Sequence, residues 1–449
     1  MAIETQVADQ KPSVEPTREF FVDMITKDIP LEQAILDLVD NSVDGAKRLT
    51  GSQRQAGEHN VQLEIYQTHF RISDDCGGFD RNVAINYAFR FGRPVGAPRT
   101  AGSIGQFGVG MKRALFKFGE HFIVRSATTD EEWAVAVDVP DWLENGDWHF
   151  PWSHFGPGDT ISKARPGTEI VVDRLRPDVA ARFSTTNFVN LVSESIKSKH
   201  RQFISQGIRI SVNGKHLDAT DLVLSIDDEL KPGRDEFVLK DKDQADVKIR
   251  ILVGVGASLP REAGWYVICN GRVVLSADRG QTTGWGLLEN ESDRVIMPNF
   301  HNQYARFRGL VWFDSADSAR VPWNTTKTDV DIDSSVWQRA FGRMIEMMRP
   351  VMAFLNELDQ DIDENTRDHS PLYQYVSQSS SIQAEKVIGR TEFRAPNRAE
   401  IKFMPKTVKI QYSKKIEDVD FLKDALGAQS ARAVGEKTFE IVLNSQRAE

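Results

Sequence analysis

Asp37, Asn41 and Asp44 fall at i, i+4 and i+7, the spacing that lines residues along one face of a helix. A helix usually turns such a stripe to solvent, but this one contains no Lys or Arg to offset its acid and amide groups. It is also flanked by two glycine-rich segments that make poor packing elements. The first, Asp74-Asp75-Cys76-Gly77-Gly78-Phe79, directly follows the strand-like FRIS. Paired glycines after a strand permit positive φ and close approach of backbone to a ligand. The second, Gly102-Ser-Ile-Gly105-Gln-Phe-Gly108-Val-Gly110-Met111-Lys112, opens a helix. A loop of this kind offers backbone N–H groups and a helix N-terminus to phosphate oxygens. It is not a P-loop, because Met111 displaces the lysine and no Ser or Thr follows Lys112.

The elements that must hold these residues can be read from periodicity. Thr17 is placed to cap a helix over REFFVDMITKD, and Pro30 opens a second one. In that second helix Leu31, Ala34, Ile35, Leu38, Val39, Ala46 and Leu49 give one buried face. VQLEIYQTHFRISD alternates and reads as two strands; MKRALFKFG is helical; HFIVRSA, EWAVAVDV and GTEIVV are strands. The Trp-rich DWLENGDWHFPW reads as a folded insertion packed on a domain edge, and the helix around NFVNLVSESIKSKHRQF closes the first domain near Phe203. A second, smaller α+β region opens with IRISVNGKHL and contains WYVICNGRVVL, with hairpin turns at Asn213-Gly214 and Asn270-Gly271. It ends near VPWNTTKTDVDID. The helix VWQRAFGRMIEMMRPVMAFLNELDQDI follows, then a polar linker from DENTRDHS to SQSSS, then a terminal α/β unit with the strand TVKIQYSK.

Composition narrows the class. A chain of 449 residues suggests about three domains, and 40% apolar with 27% charged content is that of soluble globular proteins. No apolar run is long enough to span a bilayer, and the polar, acidic N-terminus does not read as a secretory signal. Two cysteines, Cys76 and Cys269, exclude a disulfide scaffold or zinc ribbon and fit a reducing compartment. A formal charge of −9 argues against a surface that adheres generally to nucleic acid, though not against one local basic channel. The expectation is a soluble, cytoplasmic, multidomain protein.

The order of the motifs resembles the ATPase superfamily of gyrase B, heat-shock chaperones, histidine kinases and MutL (GHKL, the Bergerat fold). Asp37-Leu-Val-Asp-Asn41-Ser-Val-Asp44-Gly45 is similar to its acid-x-x-x-Asn-x-x-Asp-Ala box, and DDCGGF to its Asp-x-Gly-x-Gly box. GQFGVGMK is similar to its Gly-x-x-Gly-x-Gly box, and Gly167-Thr168 to its final Gly-Thr. The resemblance implies ATP and Mg²⁺ as ligands. Asp74 would accept a hydrogen bond from the adenine amino group, with Thr168 acting through water and Gly78 beside them. Asn41 would coordinate Mg²⁺. The backbone of Gly105, Gln106, Phe107, Gly108, Val109, Gly110, Met111 and Lys112 would wrap the phosphates, and Asp37 would orient the attacking water. Three positions depart from the pattern: Asp37 is one methylene shorter than the usual Glu, Gly45 replaces Ala, and Cys76 replaces the first Gly. Cys76 reads as a small packing residue.

WYVICNGRVVL and NTTKTDVD resemble segments of the transducer domain of MutL and MORC proteins, which makes Lys327 the second catalytic candidate. The fold expected is α/β (α+β). An arm (1–11) precedes a two-layer Bergerat ATPase domain (12–205), then a transducer of ribosomal-protein-like α+β fold (206–335). A helical connector (336–365) leads to a C-terminal helical or α+β domain of undefined role (366–449). The activity implied is that of a Mg²⁺-dependent ATPase that homodimerises on ATP binding. It would be a MORC- or MutL-like switch or clamp on DNA or a partner protein, with antiviral defence as one setting. The alternatives are a chaperone-like remodeller and a non-hydrolysing nucleotide sensor. DNA contacts, if made, are expected from Lys197, Lys199 and Arg201, or from Lys402, Lys406, Lys409, Lys414 and Lys415.

Overall fold

Thr17 caps the helix Arg18–Lys27 by accepting from the Phe20 amide at 3.3 Å. The helix Leu31–Thr50 follows. Ala34, Ile35, Leu38, Val39, Val43 and Ala46 along it are almost wholly excluded from water. A computed structural model describes residues 16–50, 58–90, 92, 100–105, 108–144, 148–156, 159–287, 297–365, 369–396, 410 and 412–447. The expected N-terminal arm, Gln106, Phe107, Lys402, Lys406 and Lys409 lie outside the described residues.

The Leu31–Thr50 helix packs with helices Gly110–Phe118 and Thr186–Lys199, and the Gly110–Phe118 helix rests on the first sheet. Across that sheet the strands run Trp152–Ser153, Glu132–Asp138, Gly119–Ala127, Gly167–Leu175, Phe70–Asp74, Asn60–Ile65, Arg209–Val212 and Lys215–His216. All neighbours are antiparallel except Asn60–Ile65 with Arg209–Val212. Along Asn60–Ile65, buried Val61, Leu63 and Ile65 alternate with more exposed Gln62 and Glu64, so one face of the sheet meets the helices and the other is polar. Two turns, Asn213-Gly214 and Asn270-Gly271, have positive φ at both residues, the geometry that two-residue hairpins require.

The second sheet runs Gly233–Asp241, Gln244–Val255, Phe307–Ser315, Gly264–Cys269 and Arg272–Asp278. Every residue of Gly264–Cys269 is buried because both faces are covered. One side packs with Leu222, Leu224 and Ala384. On the other the helix Ser335–Asn365 brings Met348 to the Trp265 indole (Nε1–Sδ 3.4 Å).

The chain divides into two compact units, Met1–Glu357 with Tyr375–Asn397 and Leu358–Gln374 with Arg398–Glu449. Residues 375–397 therefore fold with the first unit and not with a domain starting at 366. Ser380–Gln383 pairs with Val223–Ile226, and Thr391 and Arg394 bridge to Arg234 and Lys231. The polar stretch read as a linker contains the helix Pro371–Gln378, in which Leu372 and Val376 are buried. Of the expected strand over 407–414, residues 407–409 and 411 lie outside the described residues, and 410 and 412–414 are not in a strand. What is described of the second unit's last segment is two helices, Ile416–Leu426 and Ala431–Arg447, separated by a left-handed Gly427. Among the described residues no helix is long and apolar enough to cross a membrane.

Candidate functional site

A cavity of about 510 Å³ opens where the Leu31–Thr50 helix, the first sheet and the Gly110–Phe118 helix meet. Its lining includes Asp37, Asn41, Asp44, Asp74, Gly78, Gly105, Gly108, Val109, Gly110, Met111, Lys112, Thr168 and Lys327. Every sequence-predicted site residue that the structure describes thus meets in one place, at a volume typical of small-molecule sites.

At one end the register of two strands sets the chemistry. Asp74 and Thr168 are direct cross-strand partners. The Asp74 carboxylate accepts from Ser42 Oγ at 2.7 Å, the Cys76 amide at 3.0 Å and the Thr168 amide at 3.2 Å. Burial raises its pKa, and these donors oppose the rise. Gly167 cannot carry a side chain, since a Cβ there would lie 1.9 Å from the Asp74 carbonyl oxygen. Two departures from the motif prove to be neighbours. A Cβ on Gly45 would stand 2.9 Å from Cys76 Cβ, so the glycine in the helix makes room for the buried cysteine in the loop.

At the other end the Gly110–Phe118 helix begins against Asp37, whose carboxylate lies 3.1 Å from where a Gly110 Cβ would be. Asp37 accepts from Gln33 Nε2 at 3.1 Å. Burial lifts its pKa, with Lys327 pulling the other way. Asp44 turns to the loop backbone, accepting from the Ile104 amide at 2.8 Å and the Gly105 amide at 2.7 Å. Asn41 stays exposed along the cavity wall. The buried Lys112 ammonium donates to the Ala88 carbonyl at 2.7 Å, and burial brings its pKa down to about 7.

Lys327 arrives from the second sheet's side of the unit. Its Nζ lies 2.8 Å from Asp40 Oδ2 and 3.6 Å from Asp37 Oδ1. Asp40 also accepts from His200 Nε2 at 2.8 Å and pairs with Arg272 Nε at 3.4 Å. Burial alone would raise the Asp40 pKa, but Arg272 and then Lys327 hold it far below the usual carboxylate range. His200 falls to about 4 through burial and then the neighbouring guanidinium, so it is neutral. With Nε2–H on Asp40, its Nδ1 accepts from Arg272 Nη1 at 3.2 Å; this tautomer is assigned from its partners. Opposing burial, Asp40 and Asp37 keep Lys327 protonated.

Residues 29–168 match the family described as histidine kinase-, DNA gyrase B-, and HSP90-like ATPase. That segment contains Asp37 through Thr168, and its mixed α/β architecture agrees with such a domain. The match points to ATP binding and, in general terms, to ATPase activity. No curated protein matches the chain.

The reading from sequence gave no role to Asp40, His200 or Arg272. Asp40 precedes Asn41 and was outside the i, i+4, i+7 stripe, while a lone histidine carries no spacing signal. The basic run Lys197, Lys199 and Arg201 needs correction as a DNA surface. Lys197 pairs with Glu194, Lys199 Nζ donates to the Val274 carbonyl, and the Arg201 guanidinium sits 5.3 Å from the Tyr266 ring centroid. Lys199 and Arg201 are half-buried structural cations; Lys414 and Lys415 are exposed. The Trp-rich segment packs as an insertion. Trp142 is buried against Phe116 and Phe150, and Trp148 meets Phe21.

Proposed function

We propose that the chain binds ATP with Mg²⁺ in this cavity and hydrolyses it. The observation that carries this reading is Lys327. It comes from far outside the matched segment, yet its ammonium lies beside Asp37 on the wall of the same cavity.

Each role follows from what the side chain already does. Asp74, held as an acceptor by three donors, suits an exocyclic amino group and so an adenine. The start of the Gly110–Phe118 helix lines the cavity, and the backbone N–H groups of a helix N-terminus suit phosphate oxygens. Asn41 would hold Mg²⁺, which neutralises phosphate charge when bound. Buried Asp37, oriented by Gln33, is the base for water. Lys327 supplies a fixed positive charge for the charge that develops on the transferred phosphoryl group. Turnover would then drive a dimerising switch or clamp of MORC or MutL type, acting on DNA or on a partner protein, with defence as one setting.

The test is turnover by the full chain with Mg²⁺, with sedimentation in a non-hydrolysable ATP analogue and in ADP. Hydrolysis and a nucleotide-dependent change of mass are expected. Binding without turnover would leave a nucleotide sensor, consistent with the short Asp37. A chaperone-like remodeller is the second reading, favoured by exposed Ile416 (78%), Phe421 (72%) and Val442 (62%) on the C-terminal helices. Retained capture of unfolded polypeptide by the full chain, with no DNA binding at low salt, would select it.

A further inference from the structure

Among the described residues, Arg272 is a buried cation with two of its three guanidinium nitrogens lacking a hydrogen-bond partner. It is fully excluded from water. Nη1 donates to His200, but among the described residues neither Nε nor Nη2 has a hydrogen-bond partner. Its Nε stands 3.4 Å from Asp40 Oδ1. A buried guanidinium N–H without an acceptor is costly, and a carboxylate taken by both prongs of the fork is its strongest partner. That carboxylate is adjacent but occupied: Lys327 holds Oδ2 and His200 holds Oδ1.

The lysine is itself held under strain. Lys327 has φ +55°, in the left-handed region, which is unfavourable for a non-glycine residue. The turn around it is closed by Asn324, whose carbonyl accepts from the Lys327 amide and whose side chain accepts from the Thr328 amide, both at 3.0 Å. Two carboxylates, Asp40 and Asp37, balance two cations, Lys327 and Arg272, around a neutral His200. A phosphate entering the cavity would compete with Asp40 for the lysine.

We propose that Asp40 is a positioning residue that parks Lys327 between turnovers, and that Arg272 takes both carboxylate oxygens when Lys327 moves to the γ-phosphate. The proposal rests on the ATPase reading above. The exchange keeps Asp40 compensated at every stage. It also removes the ion pair that damps Asp37, so base and cation become active together. Because Arg272 belongs to the Asn270-Gly271 hairpin, the second sheet feels whether the lysine is parked or engaged.

Calorimetry of the full chain with Mg²⁺ and a non-hydrolysable ATP analogue comes first. Arg272→Met leaves Asp40 with Lys327 as its sole cation. We expect kcat to fall about 10- to 100-fold while analogue affinity stays within about threefold. The double variant Arg272→Met/Lys327→Ala should turn over no more slowly than Lys327→Ala alone, because Arg272 acts through the lysine. Effects that multiply would overturn the proposal. Since Arg272→Met can impair folding, Arg272→Lys provides the control: it keeps the charge without the fork, and should give an intermediate kcat. One arm needs no substitution. A crystal structure of the wild type with saturating analogue should have Lys327 away from Asp40 and both guanidinium prongs on that carboxylate. Lys327 still on Asp40 there would overturn the proposal while leaving ATP binding intact. Absence of any analogue binding in calorimetry would instead sink the ATP reading, and this inference with it.

Discussion

The two ends of the cavity are built by opposite means. At the Asp74 end, the carboxylate is held by neutral donors from Ser42 on the Leu31–Thr50 helix, Cys76 in the following loop and Thr168, its cross-strand partner. At the Asp37 end, charges are held by other charges. Lys327 and Asp40, 287 residues apart in sequence, meet in a cluster completed by Arg272 and His200. Neutral donors from a helix, a loop and a strand converge on that one carboxylate, so that end is a fixed template. A carboxylate shared by several cations can exchange partners at small cost, so that end can change state.

Five experiments would break or sharpen this contrast. The largest effect is expected from Asp37→Ala, with turnover down roughly 10²–10⁴-fold and nucleotide affinity nearly unchanged, measured by steady-state kinetics and calorimetry. Normal hydrolysis would reduce Asp37 to part of a polar face, and a faster Asp37→Glu would show that the side chain is too short. Lys327→Ala should lower kcat about 10²–10³-fold with little change in affinity; lost affinity at constant kcat would move Lys327 out of the reaction.

Third is a pH effect confined to the exchanging end. His200 ordinarily titrates at 6.5 and here at about 4. Between these values the unfolded chain binds the extra proton, so stability rises with pH and is lost as pH falls from about 6.5 to about 4. The loss amounts to about 3 kcal/mol, read by urea unfolding at successive pH values. His200→Gln should flatten that window, and an unchanged slope would reject the assignment.

Asp74→Asn should weaken adenine-nucleotide binding by up to about 10²-fold, because an amide N–H₂ turned toward the adenine amino group sets donor against donor. Unchanged affinity in calorimetry would remove Asp74 from adenine recognition. The smallest effect is expected from Gly45→Ala, at about 1–3 kcal/mol of destabilisation from its contact with Cys76. Cys76→Gly should partly relieve that cost in the double variant. Additive costs in chemical denaturation would mean that the two positions do not share the space.

Much of the fixed end was legible because its information is local. The i, i+4, i+7 stripe, the glycine pairs and the strand alternation specify elements whose neighbours in sequence are neighbours in space. Thr17, Asn213-Gly214 and Asn270-Gly271 could be read as cap and turns because single residues decide those geometries. The C-terminal boundary was misread for the converse reason. Leu372 and Val376 are buried inside a stretch whose overall composition is polar, and Ser380–Gln383 finds its partner strand some 150 residues earlier in the chain.

The sequence by itself therefore determined most of the residues that line the cavity, since a helix period, a strand register and a glycine's freedom are properties of short segments. The tertiary structure alone decided which charges share a carboxylate. Asp40, His200, Arg272 and Lys327 lie on four separate segments, and the ion pairing of a buried group depends on distances that no local spacing encodes. It likewise turned Lys199 and Arg201 from an apparent basic surface into packed structural cations. Whether a lysine faces solvent is settled by what the rest of the chain places over it.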